Sequence, residues 1–201
     1  MSRRGRTRPF LIAVGTVAAA VVVALLLTNS TSEHDADPTS TTRDLSQVSN
    51  DEMEAVIADN PDVVPMRLAL VERYLDDGEI ARAHAHAQEA LARSTAPANR
   101  ARSLRYVGWT LALLGNPAEG EEFLRESLAL EPGHDDSLWF LARVLFEGEA
   151  RPADAIPLLE EVLASDVLSD AQRPQVEAKL DEARAAVDGA PNPTLPTLPS
   201  S

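Results

Sequence analysis

Four histidines, 32 carboxylates and no cysteine make up the reactive inventory of this 201-residue chain. His84 and His86 are two apart, so on a helix they project about 200° from each other and cannot share a metal as residues four apart would. They read as exposed or partly packed helix residues. His134-Asp135-Asp136 reads as a helix start, where the dipole favours acids, rather than a ligand set. Asp76-Asp77, Glu121-Glu122 and Glu160-Glu161 are sequence neighbours that diverge in space, which leaves no acid and base working as a pair. Without cysteine there is no thiolate nucleophile, disulfide, zinc–thiolate or iron–sulfur site. The G-x-S-x-G, H-E-x-x-H, G-x-G-x-x-G and Walker patterns are all absent. The chain reads as a non-enzyme, with no catalytic residue, metal site or cofactor expected.

The charge balance excludes a second class. Against 32 Asp+Glu stand 18 Lys+Arg, a formal net charge of -14. Such a surface repels a polyanion, so no nucleic-acid partner is expected. Arg3, Arg4, Arg6 and Arg8 hold four of those cations and no acid precedes Glu33, so the remainder of the chain is more acidic than the total.

After this basic segment, residues 1–9, comes the uncharged run Phe10–Leu27, interrupted only by Gly15 and Thr16. At about 1.5 Å per residue it spans roughly 27 Å, close to the hydrocarbon thickness of a bilayer. A signal peptide has a shorter apolar stretch and an A-x-A-like end, which Thr28-Asn29-Ser30 matches poorly, so an uncleaved transmembrane anchor is favoured over a cleaved signal. Arginines on one flank and Glu33, Asp35 and Asp37 on the other place the N-terminus in the cytoplasm and the rest outside it, in the cell envelope. Residues 28–49, rich in Ser, Thr and Asp, read as a flexible linker. The Pro-rich residues 190–201, with the echo Thr194-Leu195-Pro196 and Thr197-Leu198-Pro199, read as an extended or disordered tail rather than a packed element.

Residues 50–189 carry apolar periods of helical type broken by Gly, Pro and Asn, and no strand-like alternation. Ser49 with Glu52 forms a capping box, Asn60-Pro61 stops a short helix, and Asp62 is placed to cap the next. Asn116, Pro117 and Glu119 start another helix. The spacing predicts an all-α domain.

These helices recur in pairs. Leu70, Tyr74, Gly78, Ala83, Ala90 and Leu91 are matched 37 residues on by Val107, Leu111, Gly115, Gly120, Ser127 and Leu128. Leu141 and Leu145 follow 34 residues beyond Val107 and Leu111, and Ala155, Val162 and Leu163 fall one residue late after a turn at Gly148. The pattern resembles the tetratricopeptide repeat (TPR), a 34-residue helix-turn-helix unit with small residues where its helices cross and proline after the second. The resemblance implies a solenoid with repeats at about 64–97, 101–134 and 135–168, a short N-terminal helix and a capping helix at about 170–188. Gly108 and Ala142 are expected to face Ala83, Gly120 and Ala155. Three extra residues follow the first repeat, and Thr95 stands in place of its proline. With Asp154 as cap, Pro157 would be the third helical residue, where no intrahelical bond is lost. Val176, Leu180, Ala183 and Val187 form the apolar stripe of the capping helix, closing the last repeat.

In that family, first-helix residues line a concave groove that holds a peptide. Carried onto this chain, the groove residues are Leu68, Glu72 and Leu75, then Arg102, Arg105 and Trp109, then Trp139, Arg143 and Phe146, with Pro65, Ala112 and Asp136 at the remaining positions. Trp and Arg are enriched at binding hot spots, which suits an apolar peptide bearing acidic groups. The same residue types also serve packing between neighbouring helices, with the arginines paired to local acids. On the groove reading, replacing Trp109 and Arg105 by alanine should abolish binding without unfolding the domain.

Met53–Asp62, Leu128–His134 and the closing helix Val176–Val187 further resemble the periplasmic TPR part of cytochrome c maturation proteins of the haem-lyase complex. This resemblance covers most of residues 50–188. It implies that the domain holds the C-terminal helix of apocytochrome c for haem attachment, with apocytochrome c or haem-lyase components as partners. One membrane span where many members have two is a departure. The alternative is a general TPR scaffold of a cell-envelope complex unrelated to cytochromes.

Overall fold

The computed structural model describes residues 48–196. The basic segment, the apolar run at residues 10–27, nearly all of the linker and residues 197–201 lie outside the described residues. Among the described residues no helix is long and apolar enough to cross a membrane.

Eight helices follow one another, with no strand among the described residues: α1 (Asn50–Asp59), α2 (Val64–Asp76), α3 (Ile80–Arg93), α4 (Pro97–Leu113), α5 (Pro117–Leu130), α6 (Asp135–Arg143), α7 (Pro152–Ala164) and α8 (Arg173–Val187). They pack as successive hairpins, α2 on α3, α4 on α5 and α6 on α7, with α8 laid on α7. One apolar core runs through all of them, from Met53 in α1 to Ala183 in α8. This is the all-α array of paired helices that the spacing predicts, in the TPR-like arrangement that the resemblance implies.

Local chemistry sets the boundaries. Ser49 and Glu52 form the reciprocal capping box at the start of α1, and Asn60 ends it. Asp62 does not cap α2; Val63 holds that position, and the Asp62 carboxylate accepts a hydrogen bond from Arg93 at 2.9 Å. The three extra residues after the first repeat become an additional turn at the start of α4, which opens on Pro97 rather than near residue 101. Pro needs no donor at that first position.

Where α4 crosses α5, the backbones meet. A methyl group on Gly120 would lie 2.5 Å from the carbonyl oxygen of Gly108, and one on Gly108 would lie 2.7 Å from that of Gly120. Both positions must therefore be glycine for this approach.

The third hairpin departs from expectation at its turn. The left-handed residue is Ala150, φ 54°, and not Gly148; it takes the place of Gly78 and Gly115 in the earlier hairpins. The cause is a π-helical turn, Val144–Gly148, that continues α6 and takes up the one extra residue. α7 then begins at Pro152 under Arg151, so Pro157 is its sixth residue and not its third. The carbonyl that loses its donor is that of Ala153, and both residues are exposed to water.

On α8, Val176, Leu180 and Ala183 are buried against α7, while Val187 is exposed. The chain beyond α8 is irregular, as composition predicts, yet it is not wholly solvated: Leu195 is buried in the core beside Gly148.

Candidate peptide-binding groove

The groove positions fall on α2, α4, α6 and the π-helical turn, and each adjacent pair of these elements is joined there. Between the first two repeats, the Glu72 carboxylate accepts hydrogen bonds from the Arg102 guanidinium and, at 2.5 Å, from the Tyr106 hydroxyl. Leu68 and Leu75, on either side of Glu72, are buried. Burial and the neighbouring Glu72 charge raise the Tyr106 hydroxyl pKa well above the usual phenol range, so it remains a donor.

Between the second and third repeats, Arg105 is only 3% exposed, too little to meet a ligand in this conformation. Its Nη1 lies 2.8 Å from Nδ1 and 2.9 Å from Nε2 of His134, and only the ring nitrogen lacking a proton can accept. Burial, with the Arg105 charge beside it, pushes the His134 pKa down to about 4 and keeps the ring neutral. Asp136 shares this corner. Burial pushes its carboxyl up to about 6; Arg105 opposes that, while Glu72 and Asp135 reinforce it.

The aromatic residues join the same two repeats. Trp109 of α4 stacks on Phe140 of α6, centroids 4.7 Å apart and rings 6° from parallel. The Arg143 guanidinium lies 4.7 Å from the Trp109 ring and 5.8 Å from that of Trp139. Both tryptophans are buried, as are Ala112 and Phe146. The final joint runs through Glu147, which takes Arg143 at 2.7 Å and Lys179 of α8 at 2.7 Å; Lys179 also lies 5.8 Å from the Phe146 ring.

The indoles and Arg105 thus occupy the packing arrangement that the sequence left open beside the groove. Besides the half-buried Pro65, what the groove positions leave accessible is charged: the side chains of Glu72 (34% exposed), Arg102 (30%) and Arg143 (18%). Tyr106, His134, Glu147 and Lys179 complete the joints, and none of them stands at a groove position of the family. The signals are spacings: Tyr106 follows Glu72, and His134 follows Arg105, at 34 and 29 residues, while Glu147 stands four residues after Arg143, the spacing of an ion pair along one helix.

The two helix histidines diverge. His84 Nδ1 meets the Thr110 hydroxyl at 2.8 Å, and His86 Nε2 meets Glu54 at 3.0 Å. Among the described residues no group of three or more His, Asp or Glu is placed to hold a metal ion.

No protein family and no curated protein matches the chain. The crystal structure of MamA is similar over 69% of this chain and 86% of its own length, with a TM-score of 0.50 at 15% identity. At that identity the likeness shows the fold alone, a TPR-like helical repeat.

Proposed function

We propose that the chain is a non-catalytic scaffold that binds a partner polypeptide on the face formed by α2, α4 and α6. The observation that carries this is the set of partly exposed charges, Glu72, Arg102 and Arg143, held by hydrogen bonds across joined repeats. Partly exposed, pre-oriented arginine is suited to carboxylate-bearing peptides, and a fixed platform lowers the ordering cost of binding. In this reading residues 10–27 anchor the protein in a membrane as a single pass, with the N-terminus cytoplasmic and the helical domain on the outer side.

A photo-crosslinking side chain placed in the full chain at Glu72, Arg102 or Arg143 tests it in native membranes. One partner captured from these positions, and not from the exposed Glu122 on α5, supports the proposal; no position-dependent capture overturns it. The narrower partner, apocytochrome c, rests on the resemblance of Met53–Asp62, Leu128–His134 and Val176–Val187 to cytochrome c maturation proteins. Titration with C-terminal apocytochrome c peptides decides it, and absence of saturable binding leaves the general cell-envelope scaffold.

A further inference from the structure

At the ends of the hairpins, the chain carries a small apolar socket that is already filled. Its wall is Pro117, the first residue of α5, and Gly148, the last residue of the π-helical turn. A methyl group on Gly148 would lie 2.7 Å from Cβ of Pro117 and 3.0 Å from Cδ1 of Leu195. The missing side chain therefore lets Gly148 close on Pro117, with the end of the Leu195 side chain packed beside them. Leu195 is 6% exposed and belongs to the core that runs through the repeats.

The segment that delivers Leu195 is held by little else. After Gly189 the chain leaves α8; Pro191, Thr194 and Pro196 are exposed, and Asn192 and Pro193 are half-buried. No hydrogen bond or ion pair among the described residues ties residues 191–196 to the helices. One leucine is thus the fastening of an extended, proline-bearing strap. The triplet that seats it, Thr194-Leu195-Pro196, is repeated immediately as Thr197-Leu198-Pro199.

We propose that the socket between Pro117 and Gly148 is a binding site for an extended polypeptide segment carrying leucine followed by proline, and that the tail is its resident occupant in cis. An extended proline-rich segment enters with little further ordering. Tethering to α8 gives the tail a high effective concentration at the socket, so a partner segment binds only by displacing it. This site and the α2–α4–α6 face are separate, and either can fail alone.

The test uses the full chain and a fluorescent peptide of residues 190–199. Leu195→Ser combined with Leu198→Ser unseats the tail while leaving all eight helices untouched, which circular dichroism checks. The double variant is expected to bind the peptide saturably and at least about ten-fold more tightly than the native chain, because the tethered competitor is gone. A peptide with both leucines replaced by serine should not bind the variant. Equal affinity for native chain and variant, no binding to either, or binding that ignores the peptide leucines would each overturn the proposal.

Discussion

Trp109 of the second repeat lies face to face with Phe140 of the third, 4.7 Å between ring centres and 6° from parallel, with the Arg143 guanidinium 4.7 Å from the same indole. An indole so placed belongs to the joint between repeats. Trp109→Ala is therefore expected to cost about 3–5 kcal/mol, a large part of a domain's usual stability. Urea unfolding followed by circular dichroism measures this. A loss below about 1 kcal/mol would show that the stack contributes little. Arg105 is buried as well, so the pair Trp109→Ala with Arg105→Ala does not separate binding from folding as the sequence suggested.

At the α4–α5 crossing, Gly120→Ala puts its methyl group 2.5 Å from a backbone oxygen, which cannot swing aside as a side chain would. The helices must separate, at a cost of roughly 1–3 kcal/mol despite the better helix propensity of alanine. A lowered urea midpoint is expected. An unchanged or raised midpoint would mean that the backbones are not in contact there.

Ala150 sits with φ at 54°, where its Cβ crowds the following carbonyl oxygen. Ala150→Gly relieves that crowding and should stabilise the domain by about 1 kcal/mol, net of glycine's extra freedom in the unfolded chain. The effect should appear as a higher thermal midpoint. The same substitution at the exposed helical Ala129 should lower it.

His134 and Asp136 respond oppositely to acid. Burial and Arg105 lower His134 from 6.5 to about 4, so between those values only the unfolded chain takes up the proton and stability falls as pH falls. Burial raises Asp136 from 3.8 to about 6, so in that window the folded chain holds the proton, and its contribution is lost as pH rises. His134→Gln should raise the urea midpoint more at about pH 5 than at about pH 7.5, whereas Asp136→Asn should do so more at about pH 7.5. The opposite order for either variant would contradict its burial.

Much of this architecture is legible in the residues because its determinants repeat. Small side chains in phase marked the Gly108–Gly120 crossing, and apolar residues at helical spacing marked the hairpins. The turn of the third hairpin was not legible, since a π-helical turn has no residue signature and no residue type marks Ala150, rather than Gly148, as the left-handed position. The groove residues were found as types, but type does not tell a free arginine from one already bonded. That depends on partners such as Tyr106 and His134, which only the fold brings near. Leu195 was hidden for another reason: a Pro-rich composition describes the average of a tail, and one leucine suffices to fasten it.

The seat of Leu195 also redirects mechanical load. While that leucine is in place, a pull on the C-terminus is first felt at Pro117 and Gly148, where the second and third hairpins adjoin, and only afterwards by α8. The outermost helix, which would otherwise peel first, is thereby relieved of tension by a single side chain several residues beyond its own end.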